Sequence, residues 1–142
     1  MLTTLPHRFA LHGDRIALSD HVDHYSAKDV LAAARTVTGL LDQNRVAVGD
    51  RVCVLAAPGL DYVAAMFAVW MRRAIFVPLC PDHPPAELEY VLSDSGASVL
   101  LVDPTHGALA GRVRSDAHVV AIDAHASRAA THAATADGEA DT

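Results

Sequence analysis

The sequence predicts an α/β fold: a mostly parallel sheet with flanking helices, preceded by a short N-terminal hairpin. Three observations carry that expectation. Apolar runs near residues 52, 75, 98 and 119 recur at intervals of 20 to 23 residues, and the segments between them carry helical periodicity. The run 52–56 is apolar on both sides, as expected of a central parallel strand covered on two faces. This spacing leaves room for a helix on each crossover, the rhythm of right-handed βαβ units.

The elements follow in order. Ile16, Ala17 and Leu18 on one side and Tyr25 on the other flank a polar turn over 19–24, which suggests the hairpin. Ser26 then stands as an N-cap, with Asp29 three residues on approximating a capping box. Val30, Ala34, Val37 and Leu41 follow at spacings of four, three and four, placing them on one face of a helix over 27–43. Asn44 supplies a left-handed stop and Val48, Gly49 and Asp50 a turn into the first parallel strand, which Pro58 and Gly59 end. The segment 61–73 is apolar nearly all round and predicts a helix buried on more than one face. A strand over 75–79 and a proline-rich loop over 80–85 come next. Pro84 and Pro85 suit the first turn of a helix over 86–95 whose inner stripe is Leu88, Val91 and Leu92, with Gly96 as its cap. Strands over 99–102 and 119–122 bracket a weak helix over 106–114. From Ala124 the tail has no Val, Ile, Leu, Phe, Tyr or Trp, so residues 1–123 read as the folded region and 124–142 as an alanine-rich, disordered or frayed tail.

Composition excludes several classes of function. The chain has 142 residues, 51% of them apolar, and a formal net charge of −6; without a cluster of Lys and Arg it does not read as a nucleic-acid binder, which must neutralise phosphates. Mean hydropathy is +0.22, and the longest apolar stretch, 63–71, is too short for a bilayer. Neither nucleic acid nor membrane is expected as a partner. The first nine residues lack a basic flank followed by a long apolar segment, so the expected compartment is the cytosol. Cys53 and Cys80 lie in apolar runs and are expected to be buried, reduced thiols.

No arrangement of residues announces a reaction centre. His21 and His24, and His118, His125 and His132 at seven-residue intervals, lack the further ligands a zinc site requires and read as exposed loop and tail histidines. The turn Ala56, Ala57, Pro58, Gly59 has one glycine, no following Lys-Ser/Thr and a proline that removes a donor, so it matches no phosphate-binding fingerprint. Asp103 reads as a strand-ending turn residue. Ser93, Asp94 and Ser95 read as helix-end capping and turn residues, and Arg72 and Arg73 as the solvated end of a helix. No catalytic, cofactor-binding or metal-ligating residue is therefore assigned.

The strings Gly13-Asp14-Arg15-Ile16-Ala17-Leu18, Tyr25-Ser26, Asp29-Val30 and Val48-Gly49-Asp50-Arg51-Val52 resemble the lead-in of AMP-forming acyl-CoA synthetases, the adenylate-forming family. Trp70-Met71, Val77-Pro78-Leu79, His83-Pro84, Glu87-Leu88-Glu89-Tyr90-Val91-Leu92 and Asp94-Ser95 are similar to that family's early structural motif, and within it to malonyl-CoA or methylmalonyl-CoA synthetases. The resemblance covers about residues 8–103 and implies part of the N-terminal subdomain of that fold. It also implies a parent reaction: ATP-dependent acyl-adenylate formation, then thioesterification to coenzyme A, with Mg²⁺, as in fatty acid metabolism. The phosphate loop ending in Pro-Lys-Gly and the catalytic lysine that it implies have no counterpart, since Lys28 is the only lysine and aligns with neither. The chain is thus expected to be an N-terminal fragment inactive alone. The alternative is a non-catalytic binding or assembly module, self-associating through exposed apolar surface on the helix that holds Tyr62 to Met71.

Overall fold

The computed structural model describes residues 4–140. In chain order the elements are α1 (Thr4–Ala10), β1 (Ile16–Ser19), β2 (His24–Ser26), α2 (Ala27–Gln43), β3 (Arg51–Leu55), α3 (Leu60–Met71), β4 (Ile75–Leu79), α4 (Pro85–Ser95), β5 (Val99–Val102), a 3₁₀ turn (Pro104–His106) leading into α5 (Gly107–Ala110), β6 (His118–Ala121) and α6 (Ala124–Ala140). β1 and β2 form the antiparallel hairpin, and the other four strands form one parallel sheet in the order β4-β3-β5-β6. The α/β architecture read from the strand spacing is the one observed.

Alternation along β3 and β5 divides the core in two, because successive side chains leave a strand on opposite faces. Val52, Val54, Val99 and Leu101 face α2 and α3. Cys53, Leu55, Leu100 and Val102 face α4 and α5. All eight are buried. β3 crosses to β4 by α3 on one face, and β4 returns past β3 to β5 by α4 on the other, so the winding direction reverses between β3 and β5. Pro78 lies opposite Val54 on β4, which is tolerated because β4 is an edge strand.

α2 begins as expected. Ser26 Oγ accepts from the Asp29 N–H at 3.0 Å, and Asp29 Oδ2 accepts from the Ser26 N–H at 3.1 Å. Its stop is one residue later than expected: Asn44 has φ −94° and donates its side-chain amide to the Leu40 carbonyl at 2.8 Å, while Arg45 takes the left-handed conformation at φ 57°. At the far end of α4, Gly96 is left-handed at φ 65°, as its position implied.

α3 is buried at Leu60, Ala64, Ala65, Phe67, Ala68 and Val69, where small residues let it lie close on α2 and the sheet. Its other apolar side chains are half-buried: Tyr62 and Trp70 meet Phe76 of β4 edge-on at 5.5 and 6.5 Å, and Phe9 of α1 lies 5.0 Å from Phe67. The expectation of an exposed apolar face on this helix is corrected, because the sheet, α2 and α1 share it. α1 itself had no sequence signal. Arg72 is also more than a solvated helix end: it donates to the Val46 carbonyl at 3.1 Å and pairs with Asp42 at 3.0 Å, joining the ends of α2 and α3.

Three further corrections concern short or polar segments. The helix expected over 106–114 shrinks to a 3₁₀ turn and the single turn of α5, framed by Gly107 and Gly111, each of which costs a helix interior about 1 kcal/mol relative to alanine. The tail expected to be frayed is helical as α6 as far as the described residues go; alanine has the highest helix propensity and needs no core of its own. Residues 141–142 of that tail, and residues 1–3, lie outside the described residues. Cys53 is buried, which pushes its thiol pKa up and keeps it unreactive, but Cys80 is exposed where the chain leaves the sheet edge.

If two-sided burial of the central strands sustains the fold, Leu101→Ala will lower the unfolding free energy by about 2–5 kcal/mol in urea denaturation. Ser26→Ala, which removes only the cap, will lower it by about 1 kcal/mol.

Candidate functional site

The connections that leave the carboxyl ends of β3 and β5 run to opposite faces of the sheet, the place at which open α/β sheets form a ligand crevice. A cavity of about 190 Å³ lies there, bounded by the β1–β2 loop from Asp20, the turn from Ala57 into α3, the segment from Asp103 after β5, and His125 of α6. Three carboxylates, Asp20, Asp61 and Asp103, contribute to its wall.

Each carboxylate is already engaged. Asp103 Oδ2 accepts from the Ala57 N–H at 2.9 Å, and its Oδ1 accepts from the His106 N–H at 2.9 Å and lies 2.7 Å from His106 Nδ1. It ties together the ends of the two central strands, as a strand-ending turn residue would. Asp20 Oδ1 accepts from the N–H groups of Val22 and Asp23 and from the Tyr25 hydroxyl at 3.0 Å, while Oδ2 accepts from the Leu60 N–H at 3.2 Å. Burial works to raise its pKa, but these four donors outweigh it and hold the carboxyl at about 2. Gly59 gives Asp20 its room: φ is 154°, and a Cβ there would stand 3.2 Å from Asp20 Oδ2. Asp61 Oδ1 accepts from the Ala124 N–H at 2.7 Å; burial raises its pKa and that bond opposes the rise.

Tyr25 joins this cluster to α6. Burial, then the bond to Asp20, pushes its pKa to about 12. With the one phenolic hydrogen committed to Asp20, the 3.0 Å contact to His125 Nδ1 requires the imidazole to donate. Arg128, one turn further along α6, donates to Asp23 at 2.9 Å and lies 3.5 Å from Asp29, with its guanidinium carbon 4.8 Å above the Tyr25 ring.

The histidine series is not brought together. His24 contacts Ser19, His118 is exposed on β6, His132 lies along the α2–α6 groove, and of the five only His21 and His125 reach the cavity. His125 corrects the reading of an exposed tail histidine, since it is half-buried and bonded to Tyr25. Among the described residues no group of three or more His, Cys, Asp or Glu is arranged for a metal ion. Ser95 Oγ donates to the Leu92 carbonyl, and Ser93 and Asp94 are exposed. The residues that sequence reasoning missed are Asp20, Tyr25, Asp61 and Arg128. Arg128 alone carried a signal, as the only lysine or arginine after Ala124.

The crevice does not fit a nucleotide triphosphate. A phosphate there would face carboxylates, Pro58 withholds a backbone donor, and Lys28 is exposed in the first turn of α2 beside a different groove. The Mg²⁺ that accompanies such a ligand fits no better, since among the described residues these carboxylates are not arranged as a metal-binding group and Asp20 Oδ1 already accepts three hydrogen bonds. What the geometry does is hold the hairpin, the sheet and α6 in register.

Two groups of this network bind protons differently on folding, which makes the stability they contribute depend on pH. Asp20 is depressed from 3.8 to about 2, so its contribution is complete above pH 4 and lost as pH falls toward 2, a change of about 1–2 kcal/mol after allowance for screening. Tyr25 is raised from 10.0 to about 12, so its contribution is complete below pH 10 and lost as pH rises toward 12. In denaturant titrations across these ranges, Tyr25→Phe will be about 1 kcal/mol less stable at neutral pH and will lose the alkaline decline.

Comparison with known proteins identifies the setting of this scaffold. The profile of the family described as AMP-binding enzyme matches residues 5–141. The mitochondrial malonate–CoA ligase of Bos taurus is 37% identical over 99 residues, covering 66% of this chain and 17% of the ligase. Surfactin synthase subunit 2 of Bacillus subtilis is 37% identical over 90 residues, 63% of this chain and 2% of that protein. The crystal structure of VinN superposes with a TM-score of 0.79 at 23% identity, over 90% of this chain and 33% of VinN, a likeness of fold. The chain therefore spans only a small part of the relatives it matches. From the family match and the shared fold, the chain belongs to the AMP-binding, adenylate-forming enzymes.

Proposed function

We propose that these residues form the N-terminal sheet layer of an acyl-CoA synthetase that activates malonate or a similar short acid, and that the layer does not ligate by itself. In the parent reaction the acid is joined to ATP as an acyl-adenylate with loss of pyrophosphate, then passed to coenzyme A. The observation that carries this reading is the 37% identity with the bovine malonate–CoA ligase over 99 residues.

The physical chemistry of the layer supports both halves of the reading. Adenylation concentrates negative charge on phosphates, and that charge needs cationic stabilisation. The switch-point crevice instead presents Asp20, Asp61 and Asp103. The chain also exposes 8385 Å², against about 7,000 Å² for a closed monomer of this mass. Leu11, Ile16, Val22, Val48, Tyr90 and Val119 are all more than half exposed, as suits a layer covered by further structure. A cytosolic site and a place in fatty acid metabolism belong to the same proposal, although the bovine relative is mitochondrial.

A non-catalytic assembly module is favoured by one feature, the open outer edges of β4 and β6. Sedimentation equilibrium separates the two, since a defined dimer supports the module and a monomer or ill-defined aggregate supports the layer. In ATP–pyrophosphate exchange with malonate, acetate and longer acids, the 142-residue chain will show no activity, whereas the full-length enzyme carrying it will prefer malonate to acetate in kcat/KM. Robust exchange by the short chain overturns the proposal.

A further inference from the structure

α6 is joined to the rest of the chain by polar bonds far more than by apolar burial. Ala124 is its only buried residue among those whose side chains are described, and residues 129–136 are all exposed. The latch consists of Arg128 across Asp23 and Asp29, its guanidinium over Tyr25, the His125–Tyr25 bond, and the Ala124 N–H on Asp61. These partners come from the hairpin, α2 and α3, so one helix bridges three elements. The pair with Asp23 is open to solvent on the carboxylate side and that with Asp29 partly buried; such pairs add little and weaken with salt, the first more than the second, and an isolated alanine-rich helix of this length is marginal in water. β3 and β5, by contrast, have buried side chains on both faces.

We propose that α6 is a detachable strap. It is latched by charge across the hairpin and the carboxyl end of the sheet, and it can leave as one piece while the βαβ layer stays folded. Departure removes His125 from the cavity wall and frees the Asp61 carboxylate from the Ala124 N–H, widening the crevice on the side that His125 lines. Segments held by few buried apolar contacts open locally well before the global transition. Detachment requires nothing of acyl-CoA chemistry and stands or falls separately from it.

Hydrogen exchange read by mass spectrometry tests this on the whole 142-residue chain. Wild type is compared at about 50 and about 500 mM sodium chloride, where screening lengths differ several-fold, and Arg128→Ala is measured at the lower salt. The expected result is that amides over 126–136 exchange roughly tenfold faster in high salt and in the variant, with β3 and β5 unchanged. The strap is overturned if α6 exchanges only together with β3 and β5, if neither salt nor the substitution speeds it, or if its amides are unprotected at low salt. Failure of Arg128→Ala to fold also overturns it, since α6 would then be integral to the core; the wild-type salt series stands independently of that variant.

Discussion

Burial of β3 and β5 on both faces is the constraint from which the remaining structure follows. A strand whose alternate side chains point to opposite faces can be fully desolvated only if each face is covered, and the eight central residues from Val52 to Leu55 and Val99 to Val102 are all buried. α2 and α3 cover one face, α4 and α5 the other. With right-handed crossovers that division obliges the chain to reverse its winding between β3 and β5, and the reversal opens the crevice at their carboxyl ends. The position of the crevice is thus a consequence of apolar packing.

Its chemistry is set by a different force. Where the strands end, backbone N–H groups of four connecting segments lack ladder partners and find acceptors on side chains instead. Asp20, Asp61 and Asp103 supply them, at Val22, Asp23 and Leu60, at Ala124, and at Ala57 and His106 respectively. The same carboxylates that complete the fold therefore make the mouth acidic.

Charge also decides how firmly the periphery is held. α3 is held by apolar packing against the sheet and α2, α1 in part by Phe9 against Phe67, and α6 by Arg128, His125 and a backbone cap. Contacts of the first kind are indifferent to charge screening, whereas ion pairs open to solvent weaken as salt rises.

Much of the architecture is legible in the sequence. Periodicity specified α2, α3, α4 and the four parallel strands, since hydrophobic pattern and caps are local: Ser26 with Asp29 begins α2 and Gly96 ends α4. The candidate site was far less legible. Asp20 with Leu60, Asp61 with Ala124, and Arg128 with Asp23 are separated by 40, 63 and 105 residues, and no local rule relates such positions. The exposure of Cys80, the burial of the aromatic flank of α3 by α1 and β4, and the order of α6 were settled in the same way. Local propensity and alternation determined the hairpin, the parallel strands and α2 to α4; the tertiary structure decided the strand order, where the winding reverses and which charges meet, because partners distant in the chain are chosen only when packing brings their backbones together.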